Sequence, residues 1–187
     1  MVDITPEEIM AVAQRAQCIH SEAEVEVAID NLADQIRERV ADKNPILLCV
    51  MNGGLILTGS LATRLQFPLQ IDYVHATRYR GETSGADLQW KNYPSIDMEG
   101  RIVILVDDIF DEGITLEKVA SYCTAQNVAK VFTAVLIDKI HDHKQGELKV
   151  DFIGLEVEDL YIYGYGMDYK GYLRNAAGIY AVADEDK

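Results

Sequence analysis

The sequence predicts an α/β fold with a mainly parallel sheet flanked by helices. Short apolar runs at Ile46–Met51 and 131–137 have the length of buried strands. Segments with helical periodicity separate them, and strands joined by helices favour right-handed crossovers and a parallel sheet. At 187 residues the chain is long enough for one sizeable core. We therefore expect residues 1–187 to form a single domain.

Two helices are predicted before the first core strand. Thr5 with Glu8, and Ser21 with Glu24, have the spacing of capping boxes. Pro6 stands at the first helical position, where proline is favoured. The apolar residues of the second helix recur at helical spacing, at Val25, Ile29, Leu32, Ile36 and Val40.

The rest of the chain alternates strands and helices. After the strand Ile46–Met51 we expect a helix to about Leu65, a strand through Leu69, Ile71 and Tyr73, a strand at 102–106, a helix at 115–126, and strands at 131–137 and 152–155. Residues 78–95 lose this periodicity and are predicted to form a long loop or a hairpin that acts as a lid. Trp90 lies in this segment, and we expect it to be exposed to solvent in the free protein.

Composition excludes several classes of partner. The formal net charge of −14 disfavours nucleic acid and anionic membrane, which would repel the chain. The longest apolar run, Ile46–Met51, is too short to cross a bilayer. Three widely spaced cysteines are typical of reduced, mostly buried thiols in a cytoplasmic protein.

The stretch 104–115, ILVDDIFDEGIT, carries most of the predicted chemistry. An apolar strand passes into Asp107 and Asp108, Asp111 follows, and Gly113 and Thr115 lead into a helix. Ligands of open α/β sheets bind beyond the carboxyl ends of the strands, and a helix N-terminus offers free N–H groups to a phosphate. Paired carboxylates suit a magnesium ion or sugar hydroxyls. The stretch therefore predicts a phosphorylated sugar held at both ends.

This stretch resembles the phosphoribosyl-diphosphate signature of the type I phosphoribosyltransferases. Further matches point to the purine branch of that family, which acts on hypoxanthine and guanine: Met51-Asn52-Gly53-Gly54 as a pyrophosphate loop, Lys139 in LIDKIHD, and the aromatic segment from Leu160 to Tyr169. The resemblance implies the type I fold, with a core of about 46–155 and a small hood lobe from about 1–45 and 156–187.

The resemblance also implies transfer of the 5-phosphoribosyl group from phosphoribosyl diphosphate to N9 of a six-oxo purine, with Mg²⁺ as cofactor, in a homodimer or homotetramer. The predicted residues for phosphoribosyl diphosphate are Asn52, Gly53, Gly54, Asp107, Asp108, Asp111, Glu112, Gly113, Ile114, Thr115 and Arg174. Those for the purine are Lys139, Tyr161, Ile162 and Asp168; those for the metal are Asp107, Asp108 and Asp168; and those of the lid are Arg78 and Tyr79. Asp111 and Lys139 would be the catalytic pair.

Several positions depart from the family pattern. Asp107 stands where a Glu is common, Glu112 where a Thr is common, and Asn52 where some members have Lys. In the pyrophosphate loop the family implies a cis peptide bond at Asn52-Gly53. His141 and His143 lie in a charged turn that we expect to be solvated, with no metal, and we expect His20 and His75 to be structural.

Two alternatives to an enzyme stay open at this stage. A regulatory protein on the same fold would bind a nucleotide or nucleic acid without turnover, and a basic face would identify it. A phosphoacceptor receiver domain also combines acids at strand ends with a later lysine. In that fold, however, the acidic pair follows the first strand, whereas here it ends a strand in the middle of the chain.

Overall fold

A computed structural model describes residues 4–78, 88–142, 144–145 and 147–187. In chain order the elements are α1 (Pro6–Arg15), β1 (Gln17–His20), α2 (Glu22–Val40), β2 (Ile46–Met51), α3 (Leu55–Arg64), β3 (Gln70–Arg78), β4 (Leu88–Asn92), β5 (Ile102–Phe110), α4 (Ile114–Ala125), β6 (Lys130–Ile140), β7 (Phe152–Glu158), β8 (Ile162–Tyr163), β9 (Ile179–Ala181) and a short 3-10 helix (Asp184–Asp186). Both predicted capping boxes are confirmed, at Thr5 and at Ser21.

A six-stranded sheet forms the centre of the molecule, in the order β4-β3-β2-β5-β6-β7. All its pairings are parallel except that of β4 with β3. Helices cover both faces, so β2 is buried on two sides: Leu47 packs with α2 and α3, whereas Ile46 and Leu48 pack with α4. This double burial explains the continuous apolar runs of the sequence and confirms the predicted fold class.

The terminal segments form a second, smaller sheet. Its antiparallel strands have the order β1-β9-β8, and α1 packs against it through Ile9 and Val12. The boundary expected for the hood at residue 45 is wrong, because α2 packs on the large sheet. Val25, Ile29 and Leu32 of α2 are fully buried in the same cluster as residues of β2, β5 and β6.

Strand β5 is longer than the sequence indicated. We expected it to end at Val106, but pairing with β6 continues to Phe110 opposite Asp138. Asp107 and Asp108 therefore belong to the strand itself. The loop that leads to α4 is reduced to three residues, 111–113.

Part of the predicted lid is a hairpin arm. Strand β4 pairs with the end of β3, which ends at Arg78, while Tyr79 lies outside the described residues. The expectation of an exposed Trp90 is wrong: its ring stacks on Tyr93 at 5.1 Å and contacts Tyr122 of α4 at 5.0 Å. The indole is partly buried because the antiparallel pairing turns it towards α4.

The cysteines are free thiols, as expected. Burial raises the pKa of Cys49 to about 11 and that of Cys123 to about 12, whereas Cys18 is exposed. Among the described residues, no helix combines the length and the apolarity that a membrane span requires.

A buried carboxylate holds the segment that follows β4. Asp72 on β3 is 9% exposed. It accepts hydrogen bonds from the backbone N–H groups of Tyr73 (2.8 Å), Ser95 (2.6 Å) and Ile96 (2.8 Å). Burial raises the pKa of Asp72, but the hydrogen bonds from these donors together lower it by more. The pKa of Asp72 is therefore below its usual value.

We predict that Asp72→Asn lowers the free energy of unfolding by about 1–3 kcal/mol at pH 7, because a carboxamide directs an NH₂ group at some of these donors. The folded pKa lies below the unfolded one, so the stabilisation is complete above about pH 4 and is lost as the pH falls through the folded value. Urea titrations at pH 7 and near pH 3 measure this difference. Asp97→Asn, at an exposed position of the same segment, should change stability by less than about 0.5 kcal/mol. If Asp72→Asn lowers the free energy of unfolding by the same amount at low pH as at pH 7, the prediction is contradicted.

Candidate active site

A cleft of about 740 Å³ lies at the carboxyl ends of the central strands. Most of the residues predicted for the site line it: Asn52, Gly53, Asp107, Asp108, Asp111, Gly113, Thr115, Lys139, Tyr161, Ile162, Asp168 and Arg174. Gly54 and Glu112 belong to the same loops and Ile114 begins α4, but these three residues are not part of the lining. The parallel topology brings the loops after β2, β5 and β6 together, because these strands all end at one edge of the sheet.

The loop after β2 packs tightly against β5. A Cβ atom on Gly53 would lie 2.2 Å from Asp108 Oδ2, and one on Gly54 would lie 2.3 Å from the carbonyl oxygen of Val106. A side chain at either position would therefore force its neighbours to move. A cis peptide bond does occur in this loop, but it joins Met51 to Asn52, so the expectation of a cis bond at Asn52-Gly53 is wrong by one residue.

Two adjacent carboxylates form the acidic end of β5. Asp108 is 7% exposed, and its backbone N–H donates to Asp107 Oδ1 at 3.0 Å. Burial raises the pKa of both groups; the nearby charge of Asp108 raises the pKa of Asp107 further. Arg174 lies 3.9 Å from Asp108 Oδ2 and partly offsets this charge. The pair offers the hard oxygen donors that a divalent cation takes.

Arg174 joins the C-terminal segment to the acidic pair. Its Nη2 lies 2.5 Å from Asp168 Oδ1, and its Nη1 donates to the carbonyl oxygen of Gly166 at 2.6 Å. The other oxygen of Asp168 accepts from the N–H of Gly171 at 2.7 Å. Both oxygens of Asp168 thus have protein donors, so Asp107 and Asp108 are better placed to hold a metal.

Asp111 and Lys139 face one another at the next strand end. Lys139 Nζ lies 3.4 Å from Asp111 Oδ2 and 3.1 Å from Asp159 Oδ1. The Lys139 side chain is 12% exposed and that of Asp111 44% exposed. A mostly buried ammonium and a carboxylate that is open to the cleft therefore stand side by side.

His141 is also part of this cluster, so the expectation of a solvated turn is wrong for it. Its Nε2 lies 2.8 Å from Asp111 Oδ1, and its side chain is 5% exposed. His143 lies outside the described residues. Ligand atoms of Asp111, His141 and Asp159 lie within 4.8 Å of one another, a spacing that a metal site could have. Here the Lys139 ammonium contacts both carboxylates, and we assign no metal.

The N-terminus of α4 offers an anion site. Gly113 precedes the helix with φ 85°, and a Cβ atom there would lie 2.7 Å from the Phe110 ring. The helix has no side-chain cap, so N–H groups of its first turn are available to a ligand. Thr115 lies in that turn and lines the cleft.

Tyr161 forms the aromatic wall of the cleft. It is 36% exposed and packs against Tyr169 with ring centroids 5.6 Å apart. Ile162 begins β8 and pairs with Ala181. Tyr161 directly precedes β8, so the small sheet positions the aromatic wall of the cleft.

The sequence interpretation missed two basic residues that line the cleft, His75 and Lys91. His75 lies opposite Met51 in the pairing of β3 with β2, and the expectation that it is structural stays a prediction. Burial lowers the pKa of His75, and the charge of Lys91 lowers it further. The sequence does not determine the register of β3 against β2, and that register is what places His75 beside Met51, the last residue of β2.

Residues 16–170 match the family model described as a phosphoribosyl transferase domain. The chain belongs to this family. Among the relatives of this phosphoribosyltransferase, the hypoxanthine-guanine-xanthine phosphoribosyltransferase of Tritrichomonas foetus is 31% identical over 84% of the chain and 86% of its own length. The hypoxanthine-guanine phosphoribosyltransferase of Aquifex aeolicus is 26% identical over 91% and 97%. A hypoxanthine phosphoribosyltransferase structure from Staphylococcus aureus, 20% identical, has a TM-score of 0.88 over 97% of this chain and 98% of that one, and so shares its fold.

We predict that Gly53→Ala lowers the free energy of unfolding by about 1–3 kcal/mol, because the new methyl group collides with the buried Asp108 carboxylate. Gly59→Ala is the matched control. It lies within α3 with no atom within 4 Å of its new Cβ, so it should stabilise the protein by about 0.5–1 kcal/mol. Thermal or urea unfolding of both variants measures the contrast. Equal stability of the two alanine variants would show that Asp108 moves aside without cost.

Proposed function

We propose that this phosphoribosyltransferase transfers the 5-phosphoribosyl group of phosphoribosyl diphosphate to N9 of hypoxanthine and/or guanine, giving IMP or GMP and diphosphate. The observation that carries the proposal is the pairing of Lys139 Nζ with Asp111 Oδ2 at 3.4 Å, at the rim of a cleft with an aromatic wall. The relatives named above support the same substrate class, since their names specify hypoxanthine and guanine.

The proposed base contacts follow from the chemistry of the purine edge. Atoms O6 and N7 are neighbours on one edge of a six-oxo purine. Lys139 donates to O6, and Asp111 accepts the proton of N7. The six-amino group of adenine meets the ammonium donor to donor and is rejected. Tyr161 stacks on the purine ring. Backbone groups of Ile162 and near Asp168 contact the other edge of the purine.

The proposed sugar contacts use the acidic strand end and the helix. The 5-phosphate accepts from N–H groups at the start of α4, next to Gly113 and Thr115. The diphosphate lies against the loop at Asn52 and Gly53 and against Arg174. The ribose hydroxyls face Asp107 and Asp108. As the bond from the anomeric carbon to diphosphate loosens, positive charge grows on the sugar, and the carboxylates favour it. N9 then attacks while Asp111 takes the N7 proton.

Mg²⁺ is the proposed cofactor, and the residues at the end of β5 fit it. Burial and mutual repulsion raise the pKa of Asp107, and a divalent cation would favour the charged form of both carboxylates. Bound there, magnesium would neutralise the diphosphate as it leaves. Asp107 and Asp108 would hold it, with Asp168 as a further ligand if Arg174 releases one of its oxygens.

Location and assembly complete the proposal. Free thiols support a cytoplasmic location. The exposed apolar side chains of Ile71 and Tyr73, on one face of β3, support a homodimer or homotetramer. The regulatory alternative would require a basic face for nucleic acid, and the net charge of −14 disfavours one.

A panel of bases tests the activity directly. With phosphoribosyl diphosphate and magnesium, we expect nucleotide formation from hypoxanthine, guanine or both, at a kcat/KM at least about 10²-fold above that for adenine. Xanthine in the same panel defines the range of six-oxo purines accepted. Absence of turnover with all four bases would refute the proposed activity and favour a binding protein.

We predict that Asp111→Asn lowers kcat by roughly 10²-fold or more, as expected for the loss of a general base. The carboxamide keeps the shape of the side chain, so binding of phosphoribosyl diphosphate should stay close to that of the wild type. Steady-state kinetics and ligand titration separate the two quantities. Asp142→Asn, two residues after the strand that carries Lys139, is a control expected to leave kcat unchanged. Wild-type kcat in Asp111→Asn would remove Asp111 from the reaction.

A further inference from the structure

The loop that follows β6 is anchored to the loop that precedes α4. The backbone N–H of Gln145 donates to the carbonyl oxygen of Glu112 at 2.8 Å. Lys144 forms an ion pair with Asp138 and lies 5.0 Å above the Phe110 ring. These contacts hold residues 144–145 of the loop, whereas His141 directly follows Ile140, the last residue of β6.

His141 and Lys139 contact different oxygens of Asp111. His141 Nε2 lies 2.8 Å from Oδ1, whereas Lys139 Nζ lies 3.4 Å from Oδ2. An ionised carboxylate can only accept, so His141 donates through Nε2–H. The contact to Oδ1 is short, and the one to Oδ2 is at the limit of a hydrogen bond.

We propose that His141 is a positioning residue for Asp111: it holds Oδ1 and thereby leaves Oδ2 to face N7 of the purine. The inference rests on the proposed function, in which Asp111 takes the N7 proton. A carboxylate can rotate about its terminal bond, and a general base must lie within hydrogen-bond reach of the proton that it removes. His141, nearly enclosed by protein, sets that rotation.

His141 also keeps Lys139 from drawing the Asp111 carboxylate away from N7. Without it, the Lys139 ammonium would be free to draw the carboxylate towards itself and away from N7. With Oδ1 held by His141, Lys139 remains shared between Asp111 and Asp159, at 3.4 and 3.1 Å. The imidazole thereby separates the two tasks of the pair, proton removal by Asp111 and recognition of O6 by Lys139.

A double-mutant cycle tests this role. We expect His141→Leu to lower kcat roughly 10-fold, part of the contribution of a general base, with the KM for phosphoribosyl diphosphate changed less than about twofold. His141→Gln retains an amide donor near the position of Nε2 and should recover most of the loss. In the Asp111→Asn background, His141→Leu should cost less than about twofold, because the group on which it acts is already gone.

Lys144→Met is the matched control, since it loosens the same loop without touching Asp111. It should keep kcat within about twofold of the wild type at a comparable loss of thermal stability. Equal kcat losses in Lys144→Met and His141→Leu, or a 10-fold loss from His141→Leu that persists in Asp111→Asn, would overturn the role of His141. Inactivity of the wild-type protein with every base would instead refute the proposed function.

A second readout does not depend on activity. In protein with ¹⁵N-labelled histidine, His141 should be protonated at Nε2, and Asp111→Asn should shift that resonance while leaving His20 unchanged. A His141 ring that is unprotonated at Nε2, or one that is insensitive to Asp111→Asn, would overturn the proposal whatever the kinetics show.

Discussion

The Asp108 carboxylate sets the constraint on which the architecture of the site depends. It projects from the end of β5 into a space bounded by two glycines: a Cβ atom on Gly53 would lie 2.2 Å from its Oδ2, and one on Gly166 would lie 3.1 Å from its Cβ. Gly166 also has φ 114°, and a Cβ atom there would lie 2.2 Å from the carbonyl oxygen of Gly53. The loop after β2 and the C-terminal segment can therefore approach β5 only as glycine backbone. Arg174 completes the junction by pairing with Asp108 and Asp168.

This junction also explains how an acidic chain can receive a polyanion. The net charge of −14 opposes phosphate at long range, so local groups have to provide the attraction. Arg174 and Lys91 line the cleft, and the uncapped start of α4 adds oriented N–H groups. The carboxylates of Asp107 and Asp108 work against these groups unless a cation joins them, so the proposed metal and the proposed diphosphate favour each other's binding.

The sequence predicts the sheet and the order of the site loops but not their packing. Apolar runs mark β2, β5 and β6 because helices bury these strands on both faces. The end of β5 was missed because Asp107 and Asp108 break the apolar pattern, while pairing with β6 keeps them in the strand. α2 was assigned to the hood from its place in the chain, which does not determine the surface against which a helix packs. His141 has charged neighbours in sequence, which gave no sign that the pairing of β6 with β5 up to Phe110 and Asp138 ends beside Asp111.

In the proposed reaction, the contacts of Lys139 determine which base is selected. An ammonium has three N–H donors, and Asp111 and Asp159 accept from two of them. Within the described part of the chain this leaves one donor for a third acceptor, which in the proposed complex is the purine O6. The two carboxylates hold the ammonium in place at 3.4 and 3.1 Å, so the donor is positioned before the base arrives. An amino group at the same position brings no acceptor and leaves the third N–H unpaired in a mostly buried setting, which costs more than an absent contact would at the surface. The proposed selection for a six-oxo purine would thus depend on Asp159 as well as on Lys139, although Asp159 itself need not touch the base.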